Sequence, residues 1–154
     1  MTDPDADALR KLIHAFIRRF GLLDQSRTPC GMPLATSDAH ALMELQREPG
    51  LEQVELAARL GLSKSAVSRM LVRLEERGLV QRARSRADGR AHDLRLSARG
   101  ERLATQVNEQ SLRRFGIILS RLPDGTPTPL LEGLAHLVNA VPEPVEPGTQ
   151  EGAL

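Results

Sequence analysis

The stretch from Gln53 to Gly100 constrains this chain more than any other, because Ala57, Gly61 and Val67 stand four and six residues apart. That spacing frames a helix-turn-helix. It puts a small residue where two helices cross, a glycine where the turn needs a left-handed backbone, and a β-branched side chain in the space beneath. Leu56, Leu60, Leu62, Met70, Leu71 and Leu74 complete the apolar filling. The first helix is expected from about Glu52 to Leu60. Ser63 caps the second, which reaches Arg77 and stops at Gly78. Leu79-Val-Gln-Arg-Ala-Arg84 and Asp93-Leu-Arg-Leu96 then alternate or cluster in strand fashion around the turn signal Ala87-Asp-Gly89. Two short helices running into a charged hairpin describe a module that sets a helix in the DNA major groove and lays a loop beside it.

The outward positions of the second helix are Ser63, Lys64, Ser65, Ser68, Arg69 and Arg73. Short polar groups at its start allow close approach to a duplex, the N-terminal N–H groups can meet a phosphate, and Arg69 is long enough to reach a guanine edge. The hairpin adds Arg86 and Arg90. Between Arg59 and Arg102 there are twelve basic and five acidic residues, a balance of +7 in a chain of formal charge +1, so the remainder carries −6. An ordinary helical hairpin with a solvated basic face does not explain that segregation, whereas a phosphate-contacting surface on an acidic scaffold does.

The flanking sequence reads as helices. Asp3 caps and Pro4 opens a long amphipathic helix over residues 4–24, with Leu9, Leu12, Ile13, Phe16, Phe20 and Leu23 on one stripe. Thr28-Pro-Cys-Gly-Met-Pro33 breaks it. A second helix starts near Thr36 or Ser37 and stops at Pro49-Gly50. After the hairpin, Ser97 caps a helix to about Ser120, Pro123-Asp-Gly125 ends it, and Thr128-Pro129 opens a last helix carrying Leu130, Leu134, Leu137, Val138 and Val141. The tail from Pro142, with Pro144 and Pro147 and few apolar groups, is expected to be disordered. The first and last helices are apolar on one side only, which makes them candidates for a dimer interface.

Composition excludes several classes. With no tryptophan, no tyrosine and three phenylalanines, the chain has no stacking platform for single strands or RNA. No apolar run is long enough for a bilayer, no signal peptide opens the sequence, and the single cysteine, Cys30, has no intramolecular disulfide partner, so the expected location is the cytoplasm. There is no phosphate-cradling glycine loop, no Gly-x-Ser-x-Gly elbow and no acid–base cluster, so no enzyme is expected and no cofactor.

Glu55-Leu-Ala-Ala-Arg-Leu-Gly-Leu-Ser-Lys-Ser-Ala-Val-Ser-Arg-Met-Leu-Val-Arg-Leu-Glu-Glu-Arg-Gly-Leu-Val80 resembles the winged helix-turn-helix of the MarR family of bacterial transcription regulators. The family's wing pattern is met by Asp88, Arg90, Leu94, Leu96, Ser97 and Gly100, and the close match covers about residues 51–102. Glu52 departs from it, standing where many relatives place a threonine cap. The resemblance implies a mainly α fold with a small β-wing. Residues 1–34 would form an N-terminal dimerisation helix and loop, 35–100 the winged helix-turn-helix lobe, 101–141 the C-terminal dimerisation helices and 142–154 the tail. It further implies a homodimer on a pseudo-palindromic operator, Arg90 entering the minor groove with Asp88 orienting it, and probably-repressing behaviour is replaced here by a definite expectation of repression, since blocking a promoter needs no contact with polymerase.

The effector is less defined. Many members of the family bind small aromatic or phenolic compounds between the two lobes, some sense oxidants through cysteine, and one branch senses zinc. Cys30 and His40, with Asp24, fall where the zinc branch places ligands, but that branch also needs a histidine pair on the fifth helix. Here that helix has Gln106, Asn108, Glu109 and Gln110, so no metal is expected. Cys30 has no Lys, Arg or His within two residues to depress its pKa, which favours an ordinary half-buried thiol over an oxidant sensor. The alternative function is a winged-helix module that has given up DNA for a protein partner, against which Lys64, Arg69, Arg86 and Arg90 all stand.

Overall fold

The computed structural model describes residues 3–84 and 92–142. Helix α1 spans Pro4–Phe20, where the Asp3 carboxylate accepts from the Asp5 N–H at 2.9 Å and Pro4 fills the first turn. It ends earlier than residue 24 because Gly21 adopts a left-handed conformation, φ 88°, and returns its N–H to the Ile17 carbonyl. The loop that follows is organised by buried Thr28. Its hydroxyl accepts from the Met32 N–H at 2.9 Å, and its own N–H donates to the Met32 carbonyl.

Helix α2 covers Thr36–Arg47, α3 Gln53–Leu60 and α4 Lys64–Glu76. Glu52, the departure from the family's cap, is held from the other side, its N–H donating to the Glu55 carboxylate at 2.8 Å. Strands β1, Val80–Arg84, and β2, His92–Leu96, pair antiparallel with Val80 opposite Leu96 and Arg84 opposite His92. Leu51 adds a bridge the sequence pattern does not announce. The Leu94 N–H donates to its carbonyl at 2.9 Å, and the Gly50 N–H donates to the Leu94 carbonyl at 3.0 Å. Helix α5 runs Ala98–Ser120, and α6 runs Pro127–Ala140, starting at Pro127 rather than at Thr128-Pro129. The hairpin tip at residues 85–91 and the tail at 143–154, on which a turn and disorder are expected, lie outside the described residues.

The core explains why these elements hold together. Leu42 and Leu45 from α2, Leu51, Leu56 from α3, Val67, Met70, Leu71 and Leu74 from α4, Leu79, Leu94 and the first half of α5 through Val107 are all buried. Helices α1 and α6 bury no residue at all, and Leu9, Leu12, Phe16, Leu131, Leu134 and Val138 stand exposed. One compact lobe is therefore finished within the chain, while a second, made of α1, α6 and the end of α5, presents an uncovered apolar surface.

Candidate nucleic-acid interface and adjoining cavity

The turn between α3 and α4 is built as the spacing requires. Ala57 is buried, Gly61 is left-handed at φ 61°, and the Leu62 N–H closes onto the Ala57 carbonyl at 3.1 Å. Ser63 caps α4 by accepting from the Ala66 N–H at 3.2 Å, and its hydroxyl also lies 3.2 Å from that of Ser65. Part of the hydroxyl capacity at the start of α4 is thus spent on holding the helix rather than left free for a ligand. Lys64, Ser65 and Arg69 are exposed and Ser68 is half-buried, so α4 offers one polar, cationic edge while Val67, Met70, Leu71 and Leu74 seal its other side.

Arg73 behaves differently from the other outward residues. Its guanidinium donates to buried Asp38 of α2 at 2.9 Å, yet half of its side chain stays in water. Other ion pairs brace the frame. Arg82 at the base of the wing donates to Glu75 of α4 and, at 3.1 Å, to Gln53 of α3, while Arg59 ties α3 to Glu44 and Glu48 beside α2. The Glu48 carboxylate, seconded by Glu44, holds the Arg59 guanidinium above its ordinary pKa. None of these partners is near in sequence, and no spacing rule finds them. Arg86, Asp88 and Arg90 lie outside the described residues.

A second feature sits at the other end of α2. A cavity of about 250 Å³ is walled by Phe16 and Phe20 of α1, Thr28 and Cys30 of the loop, Thr36, Ala39, His40 and Met43 of α2, and Val107, Ser111, Arg114 and Phe115 of α5. Cys30 and His40 therefore share one wall. The Cys30 thiol lies 3.0 Å from the Thr28 hydroxyl. Phe20 stacks against Phe16 and tilts against Phe115, with centroids 4.9 and 5.4 Å apart, and the Arg114 guanidinium lies over the Phe20 ring at 4.8 Å. Two polar atoms in this wall, Thr36 Oγ1 and Arg114 Nε, are buried without a hydrogen-bond partner.

A helix-turn-helix closed by a β-hairpin and carried by a helical lobe defines a winged-helix protein. A family model described as the MarR family matches residues 31–91. Transcriptional regulator HosA of Escherichia coli is 33% identical over 116 residues, covering 70% of this chain and 86% of that protein. The chain belongs to the MarR family of transcriptional regulators. Among solved structures, the PcaV transcriptional regulator of Streptomyces coelicolor in complex with its natural ligand is similar at a TM-score of 0.66, with 26% identity, over 90% of this chain and 94% of that one. The transcriptional repressor CouR, bound to a 23-mer DNA duplex, is similar at a TM-score of 0.67, with 27% identity, over 85% and 89% of the two chains.

Proposed function

We propose that this protein is a homodimeric repressor that holds a pseudo-palindromic operator through α4 and the wing and releases it when a small molecule enters the cavity. The observation that carries the DNA reading is the face of α4. A fully buried apolar side locks the helix in place, and Ser63, Lys64, Ser65, Ser68 and Arg69, with the free half of Arg73, form the edge turned away from the core. Arg86, Asp88 and Arg90 belong to the same surface as wing residues. CouR bound to duplex DNA supports the partner, and PcaV with its natural ligand supports an effector.

The dimer reading follows from the uncovered lobe. Leu9, Leu12 and Phe16 on α1 and Leu130, Leu131, Leu134 and Val138 on α6 form stripes that a second copy of the same surface would cover. An operator with two half-sites about one helical turn apart needs that two-fold arrangement. The effector reading follows from the cavity, which lies between the uncovered lobe and the DNA-binding lobe and shares α2 with the latter. A gel-shift with the purified protein on DNA upstream of its own gene tests the central claim. A retarded, salt-sensitive complex that specific but not scrambled duplex competes away is expected, and no complex at low salt would refute it.

A further inference from the structure

The cavity at α1, α2 and α5 does not end at its own wall. A second, open groove of about 340 Å³ runs along α5 and is lined by Gln110, Arg113, Arg114, Ile117, Ile118 and Arg121, with Cys30 at its mouth. Cys30 and Arg114 line both spaces, so the two adjoin. Their characters differ. The cavity is a phenylalanine-walled chamber, whereas the groove carries three guanidinium groups, and none of these makes an ion pair among the described residues.

Size and satisfaction both point outward from the cavity. Its volume of about 250 Å³ exceeds what a benzene needs but falls short of the range, about 300–1,000 Å³, in which small-molecule sites usually lie. The groove supplies the missing room. Between the two stands Arg114, held in place because its terminal nitrogen donates to the Phe20 carbonyl at 3.0 Å and its plane covers the Phe20 ring. Its Nε is buried and unspent, as is the Thr36 hydroxyl across the chamber. A buried donor without a partner costs free energy that an acceptor on a ligand would recover.

We propose that the effector is a molecule of two parts: an aryl or short acyl group in the cavity, and a phosphate-bearing tail laid along Arg113 and Arg121. The carbonyl joining the two parts accepts from Arg114 Nε at the junction. Coenzyme A thioesters have this chemistry. Guanidinium forks match phosphate oxygens bidentately, and three of them on one helix face suit a tail of several negative charges better than a lone carboxylate. This inference rests on the effector reading above and adds the class of ligand.

The test compares benzoyl- and hexanoyl-coenzyme A with benzoate, hexanoate and free coenzyme A, by calorimetry on the intact protein and by release of bound DNA. At least one thioester is expected to bind ten times or more tightly than its free acid and than coenzyme A alone. Arg113→Gln with Arg121→Gln is expected to remove that advantage while the free acid binds as before and the variant still retards DNA. Equal binding of thioester and free acid, with DNA released by both, would overturn the two-part ligand yet leave the effector cavity standing. Failure of every compound to bind would overturn both. A double variant that sediments as a monomer would assign these arginines to the subunit contact and overturn the tail site.

Discussion

Replacing Gly100 by alanine is the sharpest single perturbation the fold offers. Gly100 lies in the first turn of α5, where a Cβ would stand 2.1 Å from the Leu79 carbonyl oxygen and 3.0 Å from its carbon. A carbon–oxygen contact settles at about 3.3 Å, so α5 and the entry to β1 must part by about 1 Å. That carbonyl is not free to yield: it accepts from the Ser97 N–H at 3.0 Å, and the Ser97 hydroxyl donates to the Gly78 carbonyl at 2.6 Å. Forcing bulk into such a site costs about 1–3 kcal/mol. Weakening the two hydrogen bonds adds up to about 0.5–1.5 kcal/mol each, and the better helix propensity of alanine returns about 1 kcal/mol.

The expected net loss is about 2–4 kcal/mol, which places Gly100→Ala among the strongly destabilising core substitutions. Gly116, in the same helix, has nothing within 4 Å of its would-be Cβ, so Gly116→Ala should gain about 0.5–1 kcal/mol. Urea unfolding of both variants at one protein concentration, followed by circular dichroism, measures the difference. A Gly100→Ala protein within about 0.5 kcal/mol of wild type would refute the close approach, and with it the idea that this glycine sets the seat of the wing.

Arg69→Ala should weaken operator binding by about 1–3 kcal/mol and relax sequence preference, read by titration on specific and scrambled duplexes, whereas equal losses on both would mark a phosphate contact. Arg90→Ala should weaken binding with most effect on duplexes whose minor groove is narrow at the wing position, as a panel of flanking sequences would show. Leu134→Asp puts a charge on the apolar stripe of α6 and should yield monomers of low DNA affinity in sedimentation, so a dimer of undiminished stability would remove α6 from the interface. Cys30→Ser should leave ligand-induced release of DNA intact, and peroxide-dependent release abolished by that change would instead establish a redox sensor.

What the sequence disclosed is what a short window can hold. The Ala57, Gly61 and Val67 frame, the Ser63 cap and the Ser97 cap are all local, and each appears where the pattern places it. The end of α1 was less legible, because Leu22 and Leu23 prolong the apolar pattern past Gly21, while the left-handed turn at that glycine decides the boundary. The Leu51–Leu94 bridge, the Arg82–Glu75 pair and the Arg114–Phe20 hydrogen bond join residues far apart in the chain. No periodicity encodes such meetings, which exist only once the helices have packed. The pocket walls were foreseeable as a place where α1, α2 and α5 converge, but the unsatisfied Arg114 Nε and Thr36 Oγ1 were not.

Helix α2 is where cavity and DNA-binding surface meet, and one bond shows how much it can transmit. Thr36, Ala39, His40 and Met43 face the cavity, while Asp38, between them in sequence, holds Arg73 of α4. A hydrogen bond between charged groups contributes about 1.5–3 kcal/mol, and the half-exposure of Arg73 brings this toward the lower end. A ligand that shifted α2 enough to break the pair would therefore change the relative stability of two α4 positions by about 1–2 kcal/mol, some five- to thirtyfold in an equilibrium constant. That is the usual size of an allosteric coupling, so no longer chain of contacts is needed. The ligand achieves it only by binding the two positions unequally. Asp38→Asn keeps the shape and removes the charge, and it should shrink the ratio of DNA affinities with and without effector several-fold. A ratio unchanged in that variant would show that the signal reaches α4 by another route.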